Sequence, residues 1–428
     1  MTKDGEKALV QAERTHEEAT TRKPAARMLL LITVGIGFLV ALASSSIKNT
    51  VSAFFVSMAT EFDVSRGVFA VAPSIFMLTY AVASPTMGYV ADRFGARRTL
   101  AGGLLLGGAL FVSGGIVNSF ALFSAVYGIG MAIAYTAVSF VPLGVLVDEL
   151  FPPNRRGIVY AILMNGAAVG FIVLLPLWIY LDSRVSWRTV FVLLGAAMVI
   201  LTLCVLIFMR ERSGQLTKKS TKTPVSGDTR PLIGVFKSPV FRSVSIAFFG
   251  CGVTMGFIDV HFVAHLDHVN LGGSNAELTV AMLGIAEIIG ALLAGFLCDR
   301  GAGVAVLSGS YLIRAASFIA LAIAPTVLTA WGFGVLFGVS YLGTVIAGTM
   351  FLLNAPDIES KGLALGLMWF VHQIGAFLSS QLGGIGYDLV GSYTPTMVGS
   401  AVFAIISFLI VVLALPRSLS RSAASNEK

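Results

Sequence analysis

Twelve long apolar runs, separated by short polar breaks, make up most of this chain of 428 residues. Each run is long enough to cross a hydrocarbon layer of about 30 Å as a helix that rises about 1.5 Å per residue. The pattern therefore predicts an all-α integral membrane protein with twelve transmembrane helices. We place the runs near residues 28–56, 68–91, 97–117, 119–149, 156–181, 187–209, 240–266, 275–298, 303–325, 327–353, 362–387 and 393–415.

Two longer polar segments divide the chain. The first 24 residues are polar and mixed in charge, which is typical of a disordered tail. The second segment, near the middle, is polar and basic, and we expect it to link two halves. The predicted organisation is a cytoplasmic tail at 1–24, an N-terminal six-helix bundle at 25–210, a cytoplasmic linker at 211–238, a C-terminal six-helix bundle at 239–416 and a cytoplasmic tail at 417–428.

Lysine and arginine are unequally shared between the two ends of the predicted helices. Short loops rich in these residues are retained in the cytoplasm, so the richer side predicts the orientation. Three arginines fall on the poorer side, namely Arg66, Arg184 and Arg188. Both termini are therefore expected in the cytoplasm. Outside the central linker, the richer side holds Arg22, Lys23, Arg27, Arg93, Arg97, Arg98, Arg155, Arg156, Arg300, Lys361, Arg417 and Arg421.

Composition excludes several classes of protein. The chain is 56% hydrophobic and 12% charged, whereas a soluble protein carries roughly a quarter charged residues. No phosphate-binding loop or nucleophile-and-base arrangement is visible, so we expect neither an ATP-driven pump nor an enzyme, and no cofactor. The three cysteines have no metal-ligand spacing. Topology accounts for the basic residues, so nucleic acid is not an expected partner.

A short glycine-rich and charged segment occurs twice. Gly88-Tyr-Val-Ala-Asp92-Arg93-Phe-Gly95-Ala-Arg97-Arg98 lies between two apolar runs, and Gly295-Phe-Leu-Cys-Asp299-Arg300-Gly301 repeats its first part. The second aspartate follows the first by 207 positions (299 − 92), and Gly362 follows Gly157 by 205 (362 − 157). Two landmarks at nearly one offset indicate a duplicated chain.

The first of these segments resembles the loop between helices two and three of the major facilitator superfamily of secondary transporters. That resemblance implies two pseudo-symmetric six-helix bundles that rock about a central site. It also implies that Asp92 meets the start of helix eleven near Ser360–Gly362, and that Asp299 meets the start of helix five near Arg155–Gly157. The expected gating residues are Gly88, Asp92, Arg93, Gly95, Arg97, Arg98, Arg155, Arg156, Asp299, Arg300 and Lys361.

Two basic side chains in predicted helices are candidates for substrate contact. A charge in hydrocarbon costs at least ~2.5 kcal/mol, so such a residue usually has a partner or faces a cavity. Lys48 lies inside the first run, although a helix ending near Ser46 would leave it at the outer surface. His372, followed by Gln373, lies mid-span and could bind an anion, carry a proton or simply bond to a neighbouring helix.

Glu287 and Arg314 lie 11 residues from the cytoplasmic ends of adjacent predicted helices, at 298 − 287 and 314 − 303. Their equal depth predicts a buried ion pair, which would serve either as a structural lock or as a proton-linked switch. Asp259 is a further candidate for proton coupling, near the outer end of the seventh run.

The remaining polar candidates carry weaker signals. Asn165 and Tyr127 are candidate substrate contacts in central helices, and packing is the alternative for them and for Tyr135. Three histidines follow Asp259 at the outer end of the seventh run. Their spacing could suit a metal, but we expect a wet helix end and no metal site. These histidines are His261, His265 and His268.

Two regions narrow the resemblance to the bacterial monocarboxylate-porter and oxalate–formate exchanger branch. They are Ile47-Lys48-Asn49, together with Phe62–Arg66, and the helix-eleven segment that contains His372-Gln373. In that branch a basic residue of helix one faces the substrate path. Helix eight here carries Glu287 and lacks the arginine that often binds carboxylate in the branch.

The favoured function is proton-coupled movement of a small organic anion across a plasma membrane, in a bacterium the inner membrane, by a monomer. Proton symport and anion exchange both stay open. Export of a drug-like or metabolite compound is the alternative within transport, and a membrane receptor is the alternative outside it. The expected partners are therefore a small-molecule substrate, the proton and the lipid bilayer.

Overall fold

The computed structural model describes residues 3–182, 184–209 and 230–415, and these contain helices and turns but no strand. Twelve helices in this part of the chain are long and apolar enough to cross a membrane. They are α1 (Lys3–Ala53, apolar from Met28), α2 (Arg66–Phe94), α3 (Ala96–Ile116), α4 (Phe120–Leu150), α5 (Pro153–Leu174), α6 (Trp187–Phe208), α7 (Pro239–Val260), α8 (Ser274–Asp299), α9 (Gly303–Ile323), α10 (Val327–Asn354), α11 (Lys361–Val390) and α12 (Thr394–Leu413).

The twelve predicted spans are confirmed, but the polar segments differ in part. Helix α1 begins at Lys3, so residues where we predict a disordered tail are helical. This segment is rich in Ala, Glu, Lys and Arg, which are strong helix formers. A short helix that we do not predict, Arg230–Lys237, closes the linker. The rest of the linker and the tail at 417–428 lie outside the described residues.

Each half packs around its own central helices, and two crossings join the halves. In the first half α3 packs on α6 and α1 packs on α5, while in the second half α7 packs on α11 and α8 on α10. The crossings pair α2 with α11 and α5 with α8. The repeat seen in the sequence relates α2 to α8 and α5 to α11. It therefore maps one crossing onto the other, and the interface has the pseudo-two-fold symmetry of the chain.

Glycines allow the helices to approach closely at both crossings. A Cβ atom on Gly88 would lie 2.0 Å from the carbonyl oxygen of Gly362. A Cβ atom on Gly157 would lie 2.4 Å from the carbonyl oxygen of Gly295. Any side chain at these positions would therefore hold the two halves apart.

Helix α4 is irregular where it borders the interior. It contains a π-helical turn at Val126–Met131 and breaks at Ser139, whose φ and ψ are −102° and −150°. A new helical segment, Phe140–Leu150, begins directly after the break. Such irregularities inside a helix often mark functional regions, and Phe140, directly after the break, lines the central cavity described next.

Candidate substrate cavity and gates

A cavity of about 110 Å³ lies between the two halves. The first half contributes side chains from α1, α2 and α4, and the second half contributes side chains from α7, α10 and α11. Aromatic rings form much of the wall, with a few polar groups among them. The lining residues are Lys48, Phe76, Met77, Tyr80, Tyr135, Phe140, Met255, Asp259, Tyr341, Leu342, Val345, Trp369, His372, Gln373 and Ala376.

Lys48 and Asp259 face each other across this cavity. Lys48 lies on α1, and its Nζ is 3.8 Å from Asp259 Oδ2 at the end of α7. This distance exceeds the roughly 2.7–2.9 Å of a charge-assisted hydrogen bond. The two side chains are 42% and 40% exposed, so both remain open to the cavity. The alternative that α1 ends near Ser46 is wrong, since the helix continues to Ala53.

His372 and Gln373 form the polar part of the wall on α11. His372 Nδ1 lies 2.9 Å from Gln373 Oε1, and its Nε2 lies 3.1 Å from Met255 Sδ. The imidazole also contacts the ring of Trp369, at a centroid distance of 4.9 Å. Trp369 is 4% exposed, and its indole N–H has no hydrogen-bond partner among the described residues. The indole N–H is thus a buried donor whose hydrogen bond is not made by the described part of the chain in this conformation.

Two of the predicted substrate contacts lie elsewhere. Tyr127 is buried in the first half and stacks on Phe76 and Phe123, with centroid distances of 5.0 and 5.9 Å. Asn165 donates from Nδ2 to the carbonyl oxygen of Ile288 at 3.2 Å, which ties α5 to α8. Neither residue lines the cavity, whereas Tyr135 does.

Arg314 does not form the predicted ion pair with Glu287. Its guanidinium is fully buried and donates to Thr254 Oγ1 (2.9 Å) and to the carbonyl oxygen of Tyr341 (2.7 Å). Other acceptors are Cys251 Sγ, the Ser340 carbonyl and Thr344 Oγ1. The pairing fails because α9 packs mainly against α10 and α12 and only slightly against α8.

Asp92 lies at the start of α11. Its Oδ1 accepts from the backbone N–H of Gly362 at 2.7 Å, and its Oδ2 accepts from that of Leu363 at 2.9 Å. Both oxygens thus bind free amides of a helix N-terminus, where the helix dipole favours a negative charge. The contact expected from the resemblance is therefore present.

Asp299 repeats this arrangement at the start of α5. Its Oδ1 accepts from Gly157 N–H at 2.7 Å, and its Oδ2 accepts from Ile158 N–H at 2.9 Å. The two carboxylates bind matching positions with matching distances. The halves are consequently joined by two equivalent contacts at one end of the molecule, which we call the Asp92 side.

The other charged residues of the predicted gating set fall into three groups by what their side chains contact. Arg156 pairs with Asp148 at 2.9 Å and donates to Asn354 Oδ1 at 2.9 Å, which links the halves. Lys361 donates to the backbone carbonyls of Leu352 and Ala355. Arg97 donates to the backbone carbonyls of Val205 and Leu206. The exposed members of the set are Arg93, Arg98, Arg155 and Arg300.

The three histidines near the end of α7 form an aromatic cluster at the opposite end of the molecule. His261 Nε2 lies 2.8 Å from the Ser380 carbonyl oxygen, and His268 Nδ1 lies 3.2 Å from Tyr387 Oη. His265 is 2% exposed, and neither of its ring nitrogens has a partner in the described part of the chain. No group of three metal-ligating side chains occurs among the described residues.

The sequence pattern does not identify most of the cavity wall. An aromatic residue in an apolar helix carries no sign of the direction it faces, so nothing distinguishes Tyr80, Tyr341 and Trp369. The break at Ser139 is also absent from the predicted helices. Its signal is Pro142 three positions later, which removes a backbone donor from the helix.

Twelve membrane-crossing helices, in two related sets of six around a central cavity with a few polar groups, are the architecture of a membrane transporter. The chain belongs to the Major Facilitator Superfamily, whose family model matches residues 34–380. It is therefore an integral membrane protein with a transporter fold, and not an enzyme.

Relatives and solved structures agree with this family. The chain is 31% identical over 388 residues to the uncharacterized MFS-type transporter YcxA of Bacillus subtilis (strain 168), with 87% of this chain and 92% of that protein covered. It is 24% identical over 402 residues to monocarboxylate transporter 12 of Mus musculus, with 83% and 79% covered. Its fold is similar to the transporter FucP in the outward conformation, with a TM-score of 0.71, 15% identity, and 89% and 98% of the two chains covered.

Proposed function

We propose that this protein is a secondary transporter that moves a small organic anion of the monocarboxylate type, coupled to protons, by alternating access. The observation that carries the proposal is the cavity to which Lys48 of one half and Asp259, His372 and Gln373 of the other all contribute. A site shared between two halves can be opened to either side in turn when the halves rock.

Lys48 is the proposed carboxylate-binding residue. A carboxylate in a low-dielectric cavity needs a positive partner and hydrogen-bond donors. Lys48 supplies the charge, and the side-chain amide of Gln373, which lines the same cavity, supplies a donor. The likeness to monocarboxylate transporter 12 supports this substrate class.

His372 is the proposed proton carrier. Its imidazole lies in the cavity wall, and histidine is the side chain that ordinarily titrates near neutral pH. Protonation of His372 would add a positive charge beside the anion, so that one proton could travel with it. Glu287 is a second candidate, since it has no ion-pair partner among the residues that the structure describes.

The two carboxylates on the Asp92 side are the proposed gate. With both bound to helix N-termini, that side is shut and the cavity belongs to the outward-facing half of the cycle. We propose that this side faces the cytoplasm, with both termini there, in a bacterial inner membrane. We further propose that the monomer carries out transport.

Uptake into proteoliposomes tests this function. We expect a labelled monocarboxylate from a small panel to accumulate, and to accumulate faster with an acidic exterior. His372→Gln should flatten the pH dependence more than it weakens apparent affinity. If the protein is folded in the membrane but takes up or exchanges no carboxylate, the proposed function is wrong. Export of a neutral or cationic substrate then becomes the better hypothesis.

A further inference from the structure

The charges of the central cavity are balanced, which a site for a simple anion would not require. Lys48 and Asp259 are the residues with a permanent charge among the fifteen lining residues of the described chain. They come from different halves and carry opposite signs. A carboxylate that approached Lys48 would therefore also approach the carboxylate of Asp259, and like charges at such distances repel strongly outside bulk water.

The geometry of the pair leaves both groups available to a ligand. Lys48 Nζ and Asp259 Oδ2 are 3.8 Å apart, too far for a charge-assisted hydrogen bond. About two fifths of each side chain is open. A second, antiparallel pair of charges could lie against this one, with its negative group beside Lys48 and its positive group beside Asp259.

From this arrangement we infer that the substrate is amphoteric: a small molecule with a carboxylate for Lys48 and an ammonium group for Asp259, as in an α-amino acid. This inference rests on the proposed function, because it keeps the carboxylate on Lys48, and it adds Asp259 as the residue that determines specificity. Both charged groups of an α-amino acid are attached to one carbon atom, so they can face two protein groups that are this close.

The size of the cavity limits the rest of the molecule. An apolar cavity of about 150 Å³ can hold one benzene molecule, so a cavity of about 110 Å³ has room for only a small solute. In this conformation the cavity therefore suits an amino acid with a short side chain. The surrounding rings, including Tyr80 and Tyr135, would replace water around a bound ligand and so strengthen both ion pairs.

Three ligands with one carbon skeleton test the inference on the unmodified protein. Alanine carries both charges, lactate replaces the ammonium group with a hydroxyl, and alaninamide keeps the ammonium group but lacks the carboxylate. At pH 7 we expect alanine to inhibit uptake of the labelled monocarboxylate, or to drive its counterflow. The concentration needed should be at least tenfold lower for alanine than for lactate or alaninamide. If lactate inhibits uptake or drives counterflow as potently as alanine, or more potently, the inference is overturned and the proposed function still stands.

Variants at Asp259 assign the effect to that residue. Asp259→Asn should lower the preference for alanine over lactate at least tenfold, whereas Asp259→Glu should retain it. Asp267→Asn, at an exposed carboxylate outside the cavity, is the matched control and should change nothing. If folded Asp259→Asn loses transport of alanine and of lactate equally, the Lys48–Asp259 pair only holds the halves together, and the inference is overturned. If none of these three ligands is recognised but another carboxylate of the panel is carried, the inference fails and the proposed function stands; if no carboxylate is carried, both fail.

Discussion

At the scale of single residues, the position of a charge relative to its neighbours matters more than its depth in the membrane. Lys48, Asp259 and Arg314 all lie on predicted helices, yet their surroundings differ. Arg314 is enclosed by hydrogen-bond acceptors and is 0% exposed, which suits a structural role. Lys48 has a single acidic neighbour and an open face, which suits a ligand.

Lys48→Ala should abolish uptake while the protein still reaches the membrane. A hydrogen bond to a charged group contributes about 1.5–3 kcal/mol, so we expect binding to weaken by roughly ten- to a hundredfold. Substrate protection against heat unfolding measures the affinity in the same variant. Lys237→Ala removes an exposed lysine from the short helix Arg230–Lys237 and is the control. Retained affinity in Lys48→Ala would contradict the proposed role.

His265 should make the cluster beyond α7 sensitive to acid. Burial, and to a lesser degree the neighbouring His268, lower the pKa of His265 from its ordinary 6.5 to about 4. The unfolded chain therefore binds more protons at this site between those values, and stability must fall as the pH drops from 6.5 toward 4. We expect the melting temperature of His265→Phe to depend less on pH in that window than that of the unmodified protein. The exposed His268 gives the control, His268→Gln, which should keep most of the dependence because burial is the larger cause; identical pH profiles for all three proteins would refute the argument.

At the scale of helices, the crossings depend on the absence of side chains. Gly88 of α2 and Gly362 of α11 bring two backbones together, and the Asp92 contact forms only at this separation. Packing and the carboxylate–helix contact therefore support each other. The same reasoning applies to Gly157, Gly295 and Asp299.

Gly88→Ala should open the Asp92 side. The added methyl group would lie 2.0 Å from the Gly362 carbonyl oxygen, and backbone cannot move aside as a flexible side chain could. We expect a cysteine introduced at Val145, which is buried beside Gly362, to react faster with a thiol reagent in this variant. Gly102→Ala is the matched control, because a Cβ atom there would meet nothing within 4 Å. Equal labelling rates in the two alanine variants would show that the crossing tolerates separation.

The comparison of sequence and structure has a clear physical pattern. Apolar length identifies each helix, so all twelve spans could be predicted. Asp92 could be assigned a partner because the two half-repeats and the resemblance specified it. The Glu287–Arg314 pair failed because sequence gives the depth of a residue and not the direction it faces. The approach of Lys48 to Asp259, 211 positions later (259 − 48), is a property of how the halves pack and has no local signal.

At the scale of the whole molecule, the two halves act as two bodies joined at equivalent points. Asp92 binds the start of α11, and Asp299 binds the start of α5, with the same pairs of distances. Under the proposed alternating access, this structure corresponds to the state in which the Asp92 side is closed. Each carboxylate would then bias the equilibrium between the two states without lining the cavity.

Asp92→Asn and Asp299→Asn should each raise the ratio of open to closed molecules by a similar factor. The double variant should raise it by the product of the two factors. A carboxylate at a helix N-terminus contributes about 0.3–2 kcal/mol, and about 1 kcal/mol corresponds to roughly a fivefold change in population. The double variant should then change it roughly twenty-five-fold, because the two crossings share no residue and their free energies add. Distances between spin labels at the ends of α2 and α11 on the Asp92 side measure the populations directly. Glu359→Gln, at an exposed carboxylate near the start of α11, is the control. A double variant no more open than either single one would show that one crossing alone controls closure, despite the symmetry of the contacts.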